Sequence, residues 1–123
     1  VDDAMVALQR QRRADVIVCV GFSQGASMAW RAGVLCRRRA DGVVSLGGDI
    51  PPELRDAPAE DFPIGLVAGG TADEWYTPAK MDADLALLQE KGAPHGAFRY
   101  DGGHEWTDAF RAELGRFLSA LAG

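Results

Sequence analysis

Short apolar runs without polar alternation recur along the chain, and most are followed by a longer stretch with helical spacing. Residues 16–22 (VIVCVGF), 42–48 (GVVSLGG) and 64–70 (IGLVAGG) are such runs. Continuous β-branched and aliphatic stretches of this length suit strands buried on both faces, as in a parallel sheet. Residues 96–100 form a fourth, weaker strand. Between them, Ala26, Ala29, Trp30, Ala32 and Val34 line a helix over 24–37. Thr77 and Pro78 supply an N-cap and a first-turn proline for a second helix, whose Leu85, Leu87 and Leu88 form an apolar face until Gly92 stops it. Thr107 caps a last helix through Phe110, Leu114, Phe117, Leu118 and Leu121.

Ahead of the first run, Asp2 and Asp3 precede Ala4, Met5, Val6 and Leu8, and the segment closes on arginines. Acid first and base last is the charge order that a helix dipole favours, so a helix is expected there too. Pro51, Pro52, Pro58 and Pro63 mark a loop from Asp49 onward. The expected order, α-β-α-β-loop-β-α-β-α, is that of a three-layer α/β sandwich: a mostly parallel sheet of about four strands flanked by helices. In such sheets ligands bind beyond the carboxyl ends of the strands.

The length, 123 residues, fits one domain over 1–123. The formal charge of −5, with no basic stripe to offset it, argues against nucleic acid. Arg10, Arg12 and Arg13, and again Arg37, Arg38 and Arg39, read as cations at helix ends. Cys19 and Cys36 lack a C-x-x-C or metal-like setting and read as free thiols. No run approaches transmembrane length, so no integral membrane segment is expected, and the first residues lack a signal peptide's apolar region. A cytoplasmic location follows as the expectation, although an upstream export signal would lie outside this sequence.

The first strand runs into Gly21-Phe22-Ser23-Gln24-Gly25, a G-x-S-x-G motif. A serine on a sharp strand-to-helix turn has strained backbone angles, and flanking glycines permit the close approach. The turn lifts the hydroxyl clear of the sheet and directs the Gln24 backbone N–H toward a developing oxyanion. The third strand ends in Gly69-Gly70-Thr71-Ala72-Asp73-Glu74-Trp75. Taken alone, Asp73 reads as a turn aspartate; behind this strand it is placed to hold a histidine ring in one tautomer. The fourth strand ends in Asp101-Gly102-Gly103-His104-Glu105-Trp106. The other histidine, His95, reads as solvated. Trp30 reads as core and Glu105 as an acid at a helix start. Trp75, Tyr76 and Trp106 adjoin Asp73 and His104 and either line a pocket or pack beneath the loops.

Ser, then Asp, then His, each after a strand of one sheet, is the chain order of α/β-hydrolases. GFSQG, GTADEWYTP and GGHEW together resemble the carboxylesterase/phospholipase branch of that fold, which includes acyl-protein thioesterase-like proteins, over nearly the whole chain. The resemblance implies Ser23 as nucleophile, His104 as general base, Asp73 as the orienting acid and the Gln24 N–H as an oxyanion donor. It implies acyl transfer from a small-molecule ester or thioester to water through an acyl-enzyme, with no metal or organic cofactor. The segment Gly47-Gly48-Asp49-Ile50-Pro51 resembles a loop that borders the family's pocket.

The family's domain also has an N-terminal half before the nucleophile strand, including the loop that supplies a second oxyanion N–H. That half has no counterpart here. The chain therefore reads as a C-terminal piece of a longer protein, as a homodimer that pairs the exposed edge of its first strand, or as a reduced relative. A catalytically inactive, hydrolase-like binding or assembly module is the alternative function.

Overall fold

Strands and helices alternate because β-branched runs and amphipathic stretches alternate. The computed structural model describes residues 7–10, 16–36 and 40–122. Its strands are β1 (Ala7–Arg10), β2 (Ile17–Phe22), β3 (Gly42–Leu46), β4 (Ile64–Gly70) and β5 (His95–Tyr100), in spatial order β1-β2-β3-β4-β5. From β2 to β5 every pairing is parallel, with Phe22 opposite Leu46, Leu46 opposite Ala68 and Gly70 opposite Tyr100. The helices are α1 (Gln24–Leu35), α2 (Pro78–Lys91) and α3 (Asp108–Ala122). The loop after β3 contains two short 3-10 turns, Pro52–Asp56 and Ala59–Asp61.

Alternation along each strand splits the core into two layers. Cys19, Val43 and Val67 face one side, with Ala29, Trp30 and Val34 of α1 and Met81 and Leu88 of α2. Val18, Val20, Val44, Leu46, Leu66 and Ala68 face the other, against Phe110 and the half-buried Leu114, Phe117 and Leu118 of α3. The chain thus forms the expected three-layer α/β sandwich, with a mostly parallel sheet between helices. Thr77 caps α2 through its hydroxyl, which accepts from the Lys80 N–H, and Thr107 Oγ1 accepts from the Phe110 N–H at 3.0 Å. Cys19 is buried and Cys36 exposed, and both are free thiols.

The N-terminal segment departs from expectation. Ala7–Arg10, read from the sequence as helix, is a strand antiparallel to β2, with Ala7 opposite Val20 and Arg10 opposite Ile17. An uncovered β2 would present a row of unpaired N–H and C=O groups, and pairing satisfies them where a helix would not. The β2 edge invoked for a homodimer is therefore occupied. The rest of that expected helix, and Arg12, Arg13, Arg37, Arg38 and Arg39, lie outside the described residues. Among the described residues no helix is long and apolar enough to cross a membrane.

Candidate active site

The site forms where β2, β4 and β5 end, because parallel strands deliver their loops to one edge of the sheet. Ser23 follows β2 directly, with φ 62° and ψ −122°, and is the one non-glycine residue with positive φ among those described. A β-carbon pays strain there, and surrounding contacts must hold it. Its N–H donates to the Leu46 carbonyl at 2.8 Å, and the Ala26 N–H donates to the Ser23 carbonyl at 3.0 Å. Gly21 packs on the Gly25 carbonyl, and Gly48 packs on the carbonyl of Ser23 itself, so that a side chain at either glycine would collide with backbone. The Ser23 hydroxyl makes no helix-capping bond, which leaves it free to face the site. Gln24 opens α1, and the first N–H groups of a helix have no partner within it.

Asp73 lies in the turn after β4 and its side chain is fully buried. Oδ1 accepts from the backbone N–H groups of Trp75 (2.8 Å) and Tyr76 (3.0 Å), a local pattern that fixes the carboxylate plane. Oδ2 then meets His104 Nδ1 at 2.8 Å. On the far side of the ring, His104 Nε2 lies 2.9 Å from Ser23 Oγ. With Nδ1–H donating to Asp73, Nε2 is the acceptor for the serine hydroxyl. Residues 23, 73 and 104 thus form one hydrogen-bonded chain. The His104 loop is held from below: Tyr100 Oη donates to the carbonyls of Gly103 and Glu105, both at 2.9 Å, and the Gly103 N–H donates to Glu105 Oε2. Glu105 is therefore a loop brace, not an acid at a helix start, since α3 begins only at Asp108.

A cavity of about 510 Å³ opens over this chain, within the range of small-molecule sites. Ser23, Gln24, Gly47, Gly48, Asp49, Trp75 and His104 are among its walls, with Ser27 and Tyr76. Of the three aromatics expected near it, Trp75 and Tyr76 line the cavity and Trp106 does not. Trp106 packs edge-on against Phe110 and Phe22, and Phe22 lies against the His104 ring with centroids 5.0 Å apart. An indole next to an apolar helix face gains more from burial there than from the cavity rim. Trp30 is fully buried, as expected of core. His95 opens β5, with Nδ1 2.8 Å from the Ala93 carbonyl, remote from the cavity lining. Among the described residues no three His, Cys, Asp or Glu side chains gather to hold a metal ion.

A model of the phospholipase/carboxylesterase family matches residues 3–84, two thirds of the chain, including Ser23 and Asp73. The chain belongs to that family. Solved structures carry the same fold. An acyl-protein thioesterase 2 of Zea mays is 18% identical with a TM-score of 0.79, over 92% of this chain and 59% of its own. SOBER1 of Arabidopsis thaliana is 21% identical with a TM-score of 0.74, over 86% and 53%. A Bacillus cereus carboxylesterase is 20% identical with a TM-score of 0.71, over 89% and 51%. The chain thus spans between half and three fifths of the length of these structures. No curated protein matches it significantly in sequence.

One group beneath this esterase-family cavity escapes a reading of the sequence alone. Asp84 of α2 is buried, and its Oδ2 accepts from Tyr76 Oη at 2.6 Å and from the Ile50 N–H at 3.2 Å. It thereby ties the Asp73 loop to the loop after β3. Ser27 Oγ ties that loop to α1 by donating to the Asp49 carbonyl at 2.7 Å. Met81, Asp84 and Leu88, spaced by three and four, are the buried residues of α2. Leu85 and Leu87, expected on that face, are only partly buried. Burial, offset in part by the Tyr76 hydroxyl and the Ile50 N–H, pushes Asp84 up from an ordinary 3.8 to about 6. Burial and the Asp84 charge push the Tyr76 phenol up as well.

The folded chain therefore holds this proton over a window, roughly pH 4–6, in which the unfolded chain has lost it. Asp84 makes stability fall as pH rises through that window, by about 2–3 kcal/mol, and then level off. Asp84→Asn keeps an acceptor for both donors and removes the buried charge. Urea unfolding at pH 4 and pH 8 should show the variant gaining on the parent by about 2 kcal/mol at the higher pH. A parent-minus-variant difference that is flat across the window would contradict this.

Proposed function

We propose that the chain is a serine hydrolase acting on carboxylic esters or thioesters of small molecules, lysophospholipids among them, through an acyl-enzyme. The observation that carries this reading is the continuous Ser23–His104–Asp73 chain, at 2.9 and 2.8 Å, opening into a cavity. In this mechanism His104 Nε2 takes the Ser23 proton as Oγ attacks the carbonyl carbon. The oxyanion forms near the Gln24 N–H at the start of α1. His104 returns the proton to the departing alcohol or thiol, then activates water to release the acid. Asp73, held by the Trp75 and Tyr76 N–H groups, keeps Nδ1–H pointed away from the serine and stabilises the imidazolium. The strained backbone of Ser23 supports the same reading, since such strain gathers at working sites.

The test is a fluorophosphonate probe with mass spectrometry to locate the adduct, alongside turnover of a short-chain nitrophenyl ester. A single adduct on Ser23, with ester turnover blocked in proportion to labelling, is the expected result. A folded sample that neither labels nor turns over ester would instead assign the chain to the binding or assembly role.

A further inference from the structure

Asp49 and Trp75 are two cavity walls for which the acyl-transfer mechanism has no use. Asp49 is exposed on the loop after β3, directly behind Gly48, which packs on Ser23. Its backbone carbonyl is engaged by Ser27, but its carboxylate has no hydrogen-bond or ion-pair partner among the described residues. Of the ionisable side chains lining the cavity, His104 is engaged by Asp73 and Ser23 and the Tyr76 hydroxyl is given to Asp84, which leaves the Asp49 carboxylate. Its charge reaches inward, where it disfavours ionisation of both Tyr76 and Asp84. Lys80 donates to the Trp75 carbonyl at 2.9 Å and is not among the residues that line the cavity. Trp75 itself is 72% exposed, the most exposed large hydrophobic side chain among the described residues. An indole face left in water and a carboxylate with no described partner, both on the walls of one cavity, supply the two attributes that select an ammonium group: a negative π surface and a counter-charge.

We propose that Asp49 and Trp75 recognise a cationic ammonium group on the substrate, so that the site prefers esters bearing a positive charge over neutral esters of the same shape. The proposal rests on the hydrolase reading above and names the substrate class for that site. The start of α1 and the Gln24 N–H serve the carbonyl oxygen, so the cation occupies a different part of the cavity from the reacting carbonyl. A cavity of about 510 Å³ accommodates both ends of a choline-sized ester. The attraction is the same in ground and transition states, so it acts mainly through KM.

Two arms test it. In the first, kcat/KM is compared for acetylthiocholine and its uncharged carbon isostere, 3,3-dimethylbutyl thioacetate. The parent should favour the cation by about 10-fold, most of it in KM, with the preference shrinking at high salt. In Asp49→Asn the ratio should fall to about 1–2, and Trp75→Leu should lower it as well. In the second arm, tetramethylammonium is titrated while tryptophan fluorescence is followed, with tert-butanol as the neutral control. Saturable quenching by the cation alone, absent from Asp49→Asn, is expected whether or not the chain turns over ester. Equal kcat/KM for the two esters in the parent, or a preference that survives Asp49→Asn, overturns the cation site and leaves the hydrolase reading intact. Cation-specific quenching in a chain that neither labels nor turns over ester keeps the cation site and defeats the hydrolase reading. Absence of cation-specific quenching overturns the cation site.

Discussion

Ser23→Ala and His104→Ala should each lower ester turnover by about 10³–10⁴-fold, and the double variant should be no slower than either single one. The non-additivity follows from the geometry. Ser23 Oγ is a weak nucleophile until its proton has somewhere to go, and the acceptor 2.9 Å away is His104 Nε2. Removing either partner removes the same step, so the second loss costs nothing further. What remains is binding and the Gln24 N–H, which neither substitution touches. Steady-state kinetics on the three variants, with unfolding curves to show that each is folded, makes the measurement. Additive losses would mean that serine and histidine act separately, and the acyl-transfer mechanism would then be wrong.

Gly21→Ala should destabilise the chain by about 3–5 kcal/mol and lower Tm by roughly 10–20 °C. A Cβ at position 21 would stand inside the van der Waals envelope of the Gly25 carbonyl, with the Ala26 nitrogen close behind. These are backbone atoms of the first turn of α1, so relief requires moving the helix off the strand. That movement would also disturb the bond from the Ala26 N–H to the Ser23 carbonyl within the turn, and the bond from the Ser23 N–H to the Leu46 carbonyl that ties the turn to the end of β3. Gly115→Ala is the matched control. A Cβ there meets nothing within 4 Å, and in the middle of α3 alanine is the better helix former by about 0.5–1 kcal/mol. Thermal unfolding of the two variants should move in opposite directions. Equal small shifts would show that the close approach of β2 and α1 is not what holds the turn.

These expectations draw on different levels of the molecule. The four parallel strands, the three helices and the order Ser23, Asp73, His104 are legible along the chain because each depends on near neighbours. Unbroken aliphatic runs mark strands buried on both faces, as β3 and most of β4 are. Thr77 with Pro78, and Thr107, act on the helices that directly follow them. Glycines around Ser23 permit a turn whose atoms all lie within five residues. Parallel topology then sends the three loops to one edge, which is why three scattered residues were readable as one site.

Contacts between distant segments had no such local signature. The pairing of Ala7–Arg10 with β2 satisfies edge hydrogen bonds, a demand that exists only once the sheet is assembled. Glu105 braces its loop through near neighbours, Tyr100 and Gly103, and is not at a helix start because α3 begins only at Asp108. Trp106 went beneath the loop because Phe22 and Phe110 offered it an apolar edge. Asp84 looks like a solvated helix residue until folding sets it against the Tyr76 hydroxyl and the Ile50 N–H. Which groups are available for chemistry, and in what order, is written along the chain. Which of them are buried, which are paired and which, like Asp49, have no hydrogen-bond or ion-pair partner among the described residues is set by the fold, because desolvation and hydrogen bonding depend on distance in space and not on separation along the chain.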